Sequence, residues 1–319
     1  MSETKNELIM LIGLAGSGKS EYAKVLSSMS DYVIHSSDSL RKELYGDEND
    51  QEHNHEVFTE LHKRIKADLV KRRSVIYDAT NLNRKRRISF LKEIENINCE
   101  KVAYMVMCGY GQCLSQNASR DRSIPESAIF RQYCSWQPAS IFEGFNRVHF
   151  YFSSADTDLE KYRKPGFWVA NDYPFTDFDQ ENSHHRLTLG GHLKSAHDFV
   201  KHTWPEDYRL EVASALHDIG KAYTKSFVDR HGNHTQEAHY YDHHKVSAYE
   251  SVFYMNFNQL FSSLSVNDIA YISNLVERHM APFMEWRQSE KSKLRDIKIF
   301  GEEFISDINK LHQADLFAH

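Results

Sequence analysis

Short apolar runs and longer stretches with helical spacing alternate along residues 1–150. The runs consist mainly of Val, Ile, Leu, Met and aromatic residues, as the buried strands of a parallel sheet do. They are residues 8–12, 32–35, 74–78 and 101–107. Between them, residues 52–73 repeat an apolar residue every three or four positions, the pattern of an amphipathic helix. This part of the chain is therefore predicted to be an α/β unit, with a parallel sheet flanked by helices.

The pattern changes after about residue 150. In residues 151–180 the aromatic side chains follow neither a helical nor a strand period, and Pro165 and Pro174 interrupt the segment. We interpret it as a connector whose rings pack in or between domains, although such rings can also stack on nucleobases. From residue 181 onward the spacing is helical, without a clear strand. A chain of 319 residues favours two domains, which we place at residues 1–150 and 181–319.

Bulk composition argues against several classes of protein. The net charge of −6 does not favour nonspecific binding to duplex DNA, so a nucleic-acid substrate would need a local basic groove. No apolar run is long enough to cross a bilayer, and the first residues are polar, unlike a secretory signal. The four cysteines have no recognised metal-binding spacing, which favours reduced thiols. We therefore expect a cytoplasmic protein that does not contact a membrane.

The most informative stretch is G-x-x-x-x-G-K-S at residues 13–20, which directly follows a predicted strand and precedes a predicted helix. Glycines let the backbone fold around a phosphate chain with its N–H groups pointing inward, and the helix N-terminus adds a positive dipole end. Lys19 would reach the β- and γ-phosphates, and Ser20 would hold Mg²⁺. The predicted nucleotide-binding residues are Gly13, Gly16, Ser17, Gly18, Lys19 and Ser20. The expected cofactor is ATP or GTP with Mg²⁺, and the alternative is an accidental glycine-rich turn.

Two acids follow predicted strands at the end where an open α/β sheet binds its ligands. Asp38 comes after the second strand, and it is either a base for an attacking hydroxyl or the cap of the next helix. Asp78 ends the third strand, and it is either a Mg²⁺ ligand, directly or through water, or a cap or turn residue. Arg41 lies one helical turn after Asp38, where it either grips an anionic group of the acceptor or is a solvated surface charge.

Two stretches rich in arginine follow. Residues 84–87 read Arg-Lys-Arg-Arg, a run that is more often a solvated helix face than a nucleic-acid patch. Residues 111–125 are polar and contain Arg120 and Arg122. This segment is either a lid, whose arginines would neutralise charge on a transferred phosphoryl group, or an ordinary surface loop.

Five segments within residues 7–150 together resemble the 5′-kinase domain of bacteriophage-type polynucleotide kinases. They are the glycine-rich loop, Ser37-Asp38-Ser39-Leu40-Arg41, Tyr77-Asp78-Ala79-Thr80-Asn81-Leu82-Asn83, residues 117–125 and Glu143-Gly144-Phe145. The resemblance implies that Asp38 is the general base on the acceptor 5′-hydroxyl, that Arg41 contacts the neighbouring 3′-phosphate, and that Arg120 is the lid arginine, contacting the nucleotide. The family often has a second lid arginine where this chain has Gln116, so either Arg122 takes its place or the lid is weaker.

Histidine is the unusual component of the composition, since most of the 19 histidines lie after residue 180. His217 and Asp218 lie in an apolar stretch and are predicted to be buried, where a divalent metal would offset the cost of burying a carboxylate. The other members of an ordered series are His192, His243, His279 and Asp315. Each alone has an ordinary alternative: single histidines are more often core or surface residues than ligands, and Asp315 could be a surface acid.

The order H…HD…H…H…D on helical sequence resembles the HD phosphohydrolase superfamily over residues 181–319, and His217-Asp218-x-x-Lys221 is its most specific part. The resemblance implies a helical bundle in which Lys221 contacts a substrate phosphate. It also implies a set of metal ligands. These are His192, His217, Asp218 and Asp315 for a first metal, with His243 and His279 as extra ligands for a second. Imidazole with carboxylate suits one or two ions of Mn, Fe, Co, Ni or Zn, which would activate water.

The two resemblances together lead to one hypothesis about fold and function. The expected fold is an α/β P-loop kinase domain followed by an all-α HD-type domain. The expected function is end healing of RNA or DNA, in which a 5′-hydroxyl is phosphorylated and a 3′-phosphate or 2′,3′-cyclic phosphate is removed or opened. A separate ligase would act downstream, since no nucleotidyl-lysine ligase motif is apparent. The alternatives are a nucleoside or small-molecule kinase fused to a nucleotide phosphohydrolase, and a nucleotide-regulated binding module without turnover.

Overall fold

The computed structural model describes residues 6–120, 123–154, 156–163, 175–183 and 186–319. The chain divides into two compact units, each with its own internal contacts. The first comprises Met1–Gln132 and Ala139–Ala155, and the second comprises Tyr133–Pro138 and Asp156–His319. Within the described ranges, no helix has both the length and the apolar character that a membrane span requires.

Strands and helices alternate along the first unit. Its strands are β1 (Glu7–Ile12), β2 (Tyr32–Ser36), β3 (Ser74–Asp78), β4 (Glu100–Met107) and β5 (Arg147–Phe152). Its helices are α1 (Lys19–Met29), α2 (Ser37–Tyr45), α3 (Asn54–Val70), α4 (Arg84–Glu93), α5 (Tyr110–Ala118) and α6 (Glu126–Tyr133), the last of which ends on a residue of the second unit. The strands are parallel and lie in the order β2-β3-β1-β4-β5. The predicted parallel sheet flanked by helices is confirmed.

The centre of this sheet explains why its sequence is so apolar. β1 pairs with β3 on one side and with β4 on the other, and all of its residues after Glu7 are buried. Side chains from three strands pack in one core cluster, which includes Ile9, Ile76 and Val102. Since parallel strands end at the same edge, the turn after β1 emerges beside the ends of β2 and β3, where Ser36 lies opposite Asp78.

The basic run at the start of α4 is not the solvated face that the sequence favoured. Arg84 and Arg87 are buried, and two nitrogens of the Arg87 guanidinium donate to the two carboxylate oxygens of Glu143, both at 2.7 Å. Arg87 also donates to the carbonyls of Asn81 and Leu82. Arg87 therefore stabilises the turn after β3 through those two carbonyls. The carboxylate of Glu143 balances the buried charge of its guanidinium.

The second unit is mainly helical, as predicted. Its helices are α7 (Asp156–Arg163), α8 (Leu189–Thr203), α9 (Tyr208–Leu216), α10 (Lys221–Thr224), α11 (His243–Phe257), α12 (Val266–Arg278), α13 (Glu290–Phe300) and α14 (Glu302–Phe317), with a π-helical turn at Pro282–Trp286. The structure adds one antiparallel hairpin of β6 (Lys225–Val228) and β7 (His234–Tyr240), which the sequence did not predict. Its strands are polar and mostly half-exposed, so they lack the apolar alternation that identifies a strand.

The aromatic segment between the predicted domains is described only in part. Tyr151 and Phe152 form the end of β5, whereas Tyr162 is buried in the second unit, where its ring stacks on Phe253 at 4.9 Å. Phe167, Trp168 and Tyr173 lie outside the described residues. The hydroxyl of Tyr162 donates to the buried carboxylate of Glu250 on α11 at 2.5 Å. The ring of Tyr162 therefore packs inside the second unit.

Candidate phosphate-loop and metal sites

The glycine-rich turn between β1 and α1 has the backbone geometry that only glycine adopts readily. Gly16 and Gly18 have φ angles of 79° and 82°, in the left-handed region. A Cβ at Gly13 would lie 2.6 Å from the carbonyl oxygen of Val106, and one at Gly16 would clash with the carbonyl oxygen of Cys113. All three glycines are thus required by the loop, which argues against an accidental turn.

Lys19 and Ser20 begin α1 directly after this turn. Lys19 is buried, and its ammonium donates to the carbonyl of Leu14 at 2.6 Å. Burial lowers the pKa of Lys19, and the carboxylate of Asp78 opposes that shift. The hydroxyl of Ser20 donates to Asp78 at 2.8 Å, so the two residues predicted to hold Mg²⁺ lie together at the end of β3. A hydroxyl and a carboxylate at this position are oxygen ligands of the kind Mg²⁺ accepts.

A cleft of about 1030 Å³ opens at this edge of the sheet. We call it the phosphate-loop cleft. Residues from the loop, from α2 and α3, from the turn after β3 and from the segment between α5 and α6 line it. They include Ser20, Asp38, Arg41, Asp78, Arg86 and Arg120. Side chains that the sequence singled out separately thus share one cavity large enough for a nucleotide.

Asp38 and Arg41 form an ion pair one helical turn apart on α2. The Arg41 guanidinium donates to Asp38 at 2.8 Å and to the side-chain oxygen of Asn54 at 2.9 Å. Arg41 is buried, whereas the side chain of Asp38 is 56% exposed and reaches the cleft. The cap of α2 is Ser36, whose hydroxyl accepts from the Ser39 amide. Asp38 is therefore not the helix cap that the sequence left as its alternative role.

The same distinction holds for Asp78. The cap of α4 is Asn83, whose side-chain oxygen accepts from the Arg86 amide at 3.0 Å. Asp78 is buried beside Ser20 and Lys19, so its carboxylate faces the phosphate loop and does not cap a helix.

The segment predicted as a lid connects α5 and α6. The carboxamide of Asn117 donates to the carbonyl of Ile124 at 2.9 Å and accepts from its amide at 3.0 Å, which ties these two ends of the segment together. Arg120 is exposed and lines the cleft. Arg122 lies outside the described residues. Whether it replaces the second lid arginine, where this chain has Gln116, or the lid is weaker, stays a prediction.

Gln132 on α6 is a cleft residue that the sequence did not reveal. Its side-chain oxygen accepts from the amide of Ala15, in the phosphate loop, at 2.7 Å. The two residues are 117 positions apart, and a lone glutamine on a helix carries no local signal of such a contact.

In the second unit, six residues predicted as metal ligands form two buried groups that share Asp218. We call them the His/Asp cluster. In the first group, Nε2 of His192 lies 3.0 Å from Nε2 of His217, 3.3 Å from Oδ2 of Asp218 and 3.3 Å from Oδ1 of Asp315. These separations suit ligands around one ion, because metal–ligand bonds of about 2.0–2.2 Å place neighbouring ligand atoms about 3 Å apart.

The second group uses the other oxygen of the same carboxylate. Oδ1 of Asp218 lies 3.1 Å from Nε2 of His243 and 3.4 Å from Nε2 of His279. These three buried atoms have no hydrogen-bond partner among the described residues. Buried polar atoms without partners are costly, and a divalent ion between them would satisfy all three. Asp218 would therefore contribute one carboxylate oxygen to each group if both held an ion.

The far side of each imidazole supports this arrangement. Nδ1 of His217, His243 and His279 each lies 2.7 Å from a backbone carbonyl, and Nδ1 of His192 lies 3.2 Å from that of Ala318. A carbonyl can only accept, so Nδ1 carries the proton and Nε2 presents its lone pair to the centre of the cluster. Such carbonyl contacts are typical of histidines that ligate metals.

The electrostatics of the cluster also call for a cation. Burial raises the pKa of Asp218, but Lys221 and the surrounding imidazoles outweigh it and hold that pKa well below its usual range. Burial would lower the pKa of His192, but the carboxylates of Asp218 and Asp315 raise it to about 9. The two carboxylates thus remain ionised and attract positive charge, which a proton on His192 supplies when no metal does.

Lys221, the predicted phosphate contact, lies beside the cluster. Its buried ammonium is 2.6 Å from Oδ2 of Asp218 and donates to the side-chain oxygen of Gln180 at 3.1 Å. Gln180 is itself buried, and its amide nitrogen donates to the carbonyl of Leu187 at 3.0 Å. The sequence analysis placed Gln180 in the connector and did not predict this contact. The two residues are 41 positions apart, so no local pattern indicates that they meet.

Comparison with known proteins bears mainly on the first unit. A protein-family model described as an AAA domain matches residues 8–137. No curated protein matches the chain. The phosphate loop and the five-stranded parallel sheet give the first unit a P-loop fold, in which helices flank the sheet as they do in P-loop kinases.

Several solved structures are similar in part. One is a chain of the Pnkp1/Rnl/Hen1 RNA repair complex, with 20% identity and a TM-score of 0.36, where the match covers 41% of this chain and 44% of that one. Another is a gluconokinase from Sinorhizobium meliloti 1021, with 16% identity and a TM-score of 0.35, covering 47% and 84%. A third is a sugar kinase from Janibacter sp. HTCC2649, with 13% identity and a TM-score of 0.34, covering 47% and 85%. This chain therefore spans less than half the length of the first of these.

Proposed function

We propose that the protein is a bifunctional enzyme that heals the ends of broken RNA or DNA. Its first unit would transfer the γ-phosphate of ATP or GTP to a 5′-hydroxyl, and its second unit would hydrolyse a phosphoester at the 3′ end. The kinase half rests on one observation above all. An exposed carboxylate held by a buried guanidinium, Asp38 with Arg41, lines the same cleft as the phosphate loop. This arrangement supports the proposal that a proton acceptor and an anion-binding group meet the acceptor hydroxyl beside the nucleotide.

In the proposed transfer, the backbone of the glycine-rich loop and the ammonium of Lys19 bind the β- and γ-phosphates. Ser20 and Asp78 would hold Mg²⁺, which neutralises charge on those phosphates. Asp38 takes the proton from the 5′-hydroxyl while the hydroxyl oxygen attacks the γ-phosphorus. The bond between the γ-phosphorus and the bridging oxygen of the β-phosphate breaks, and the nucleoside diphosphate leaves. Arg120, on the lid segment, binds the transferred group while its charge is largest.

Arg41 would then hold the acceptor. In its proposed role it binds the 3′-phosphate of the terminal nucleotide and keeps Asp38 in place. A buried guanidinium already fixed by Asp38 and Asn54 loses little freedom when it binds a phosphate.

The phosphohydrolase half rests on Asp218, whose two carboxylate oxygens belong to two separate groups of histidines and acids. His192, His217 and Asp315 would complete the first metal site, and His243 and His279 the second. When bound, the ions supply Lewis acidity that activates water and screens the phosphate charge. Lys221 would bind a phosphate oxygen, since its ammonium already lies at the edge of this cluster.

The pairing of the two activities has a chemical reason. Broken strands often carry a 5′-hydroxyl together with a 3′-phosphate or a 2′,3′-cyclic phosphate, and such ends cannot be joined. One chain that adds phosphate at the 5′ end and removes or opens it at the 3′ end produces ends that a separate ligase can seal.

The experiment that tests the proposal uses the full chain and one oligonucleotide with a 5′-hydroxyl and a 3′-phosphate. It is incubated with γ-labelled ATP or GTP and Mg²⁺, with and without Mn²⁺, and a second oligonucleotide carries a 2′,3′-cyclic phosphate. We expect label at the 5′ end, loss of the 3′-phosphate, and a divalent transition metal in the purified protein. Equal phosphorylation of free nucleosides would instead favour a nucleoside kinase, and no turnover under any metal would favour a binding module.

A further inference from the structure

The basic run at residues 84–87 divides into two kinds of position on α4. Arg84 and Arg87 are three residues apart and share a buried face, where both guanidinium groups lie near Glu143. Arg86 does not lie on that face, because each residue turns the helix by about 100°. Arg86 is exposed and lines the phosphate-loop cleft. Lys85 is exposed too, on the first turn of the same helix.

Arg86 lies on α4 just after the turn that follows β3, the strand that ends in the proposed Mg²⁺ ligand Asp78. Its backbone amide is held by the Asn83 cap at 3.0 Å, at the start of the helix that follows β3. Asp78 at the end of β3 and Thr80 in the turn between β3 and α4 line the same cleft. The long side chain of Arg86 therefore starts from a fixed backbone at the edge of the cleft.

The other basic side chains of α1 and α2 in the cleft are already engaged. Arg41 is held by Asp38 and Asn54, and Lys24 forms an ion pair with Glu21 at 2.8 Å. The guanidinium of Arg86 makes no hydrogen bond or ion pair with the residues that the structure describes. A guanidinium left open toward an anionic substrate binds phosphate oxygens in two-pronged geometry, which makes it suited to a nucleic-acid backbone.

We propose that Arg86 binds the second phosphate of the acceptor strand, so that the kinase site selects polynucleotide ends over nucleoside 3′-monophosphates. This inference rests on the proposed kinase function and adds to it the class of acceptor. Arg41 takes the phosphate next to the terminal nucleoside, and Arg86 takes the one after it. A contact to the backbone adds affinity without reading the base, and it weakens as salt rises.

The test compares the full-length wild type with Arg86→Ala and with Lys85→Ala, a matched control on the same helix turn. Two acceptors share the same terminal nucleoside: a nucleoside 3′-monophosphate, and a trinucleotide with a 3′-phosphate. For Arg86→Ala we expect kcat/KM on the trinucleotide to fall about tenfold, mainly through KM, and the dependence of log(kcat/KM) on log[salt] to lose about one unit of slope. The monophosphate should be phosphorylated as by the wild type, and Lys85→Ala should change neither acceptor.

A third variant, Arg86→Lys, keeps the charge and should recover part of the loss on the trinucleotide. The inference is overturned if Arg86→Ala impairs both acceptors equally, if it impairs neither, or if Lys85→Ala has the same effect. A wild type that phosphorylates neither acceptor would overturn the proposed kinase function itself. The two failures are therefore distinguished by the wild-type rates alone.

Discussion

The phosphate-loop cleft and the His/Asp cluster would both handle phosphate, but they are made from opposite kinds of group. The cleft lies beside a glycine-rich backbone turn that ends at Lys19, and the cations Arg41 and Arg120 line it. The cluster presents imidazole nitrogens and carboxylates, and the carboxylates would repel phosphate unless a metal lay between them. The first kind of site offers its own positive charges to a substrate, whereas the second would depend on a bound metal ion.

Exposure follows the same division. In the cleft, the proposed base Asp38 is 56% exposed, and its negative charge is paired with Arg41. In the cluster, Asp218 is almost fully buried, and one of its oxygens has no hydrogen-bond partner among the described residues. A buried carboxylate of that kind costs folding free energy that a bound cation offsets. The comparison therefore predicts that metal stabilises the protein through the cluster and that loss of a cleft residue leaves stability largely unchanged.

The largest effect is expected for Asp218→Ala, because this change removes the carboxylate that both groups share. Phosphohydrolase activity should fall by roughly a thousandfold or more, equivalent to about 4 kcal/mol, while 5′-kinase activity stays close to wild type. Metal analysis should show that both ions are lost. Adding a chelator should lower the melting temperature of the wild type and leave that of the variant unchanged.

Two control variants test the interpretation of that result. Asp218→Asn keeps the shape of the side chain and should lose the metal as well, and Asp198→Ala removes an exposed acid of the same unit and should have no effect. If Asp218→Ala abolished both activities in a folded protein, the two sites would not be independent.

Asp38→Ala is the reciprocal change in the first unit. Loss of the proposed general base should lower kcat of the kinase by about 10²–10⁴-fold, with the 3′-end activity and the melting temperature preserved. A radiolabel transfer assay run beside a phosphate-release assay measures both. Asp31→Ala, an exposed acid just before β2, is the control. Retention of kinase activity within tenfold would assign the proton to another acceptor and leave Asp38 as a support for Arg41.

The contrast also explains which parts were predictable from sequence. The phosphate loop occupies eight consecutive residues between a strand and a helix, so its geometry is encoded locally, down to the left-handed angles at Gly16 and Gly18. The cluster is dispersed between residues 192 and 315, and its members were recognised only through their order and a family resemblance. Their convergence on Asp218, which requires α8, α11, α12 and α14 to pack together, has no local signal.

Errors and omissions arose where a role depends on contacts distant in sequence. The basic run was interpreted as a solvated face because charge alone does not reveal Glu143, more than 50 residues later, as the partner of Arg87. Gln132 and Gln180 were missed because a single glutamine has no pattern. The hairpin β6–β7 was missed because its mostly polar strands lack a regular apolar alternation. Periodicity reports apolar burial, and these features are held by polar contacts.

The smallest effect we predict concerns Gln180, which holds Lys221 beside the cluster. A hydrogen bond to a charged group contributes about 1.5 kcal/mol, so Gln180→Ala should raise KM for the phosphoester substrate about tenfold by leaving the Lys221 ammonium held by Asp218 alone. Metal content and kinase activity should not change. Gln180→Glu retains an acceptor for the ammonium and should keep KM closer to wild type.

Asn182→Ala separates this positioning role from general loosening of the segment. The side chain of Asn182 anchors the same stretch by donating to the carbonyl of Ala238 at 2.8 Å, a bond that does not involve Lys221. A rise in KM for Gln180→Ala but not for Asn182→Ala, with kcat little changed in both, would place Lys221 on the substrate phosphate. Equal losses in the two variants, or a loss of metal in Gln180→Ala, would mean that Gln180 only supports the fold. The cluster would then bind phosphate through its ions alone, which sharpens its contrast with the cleft.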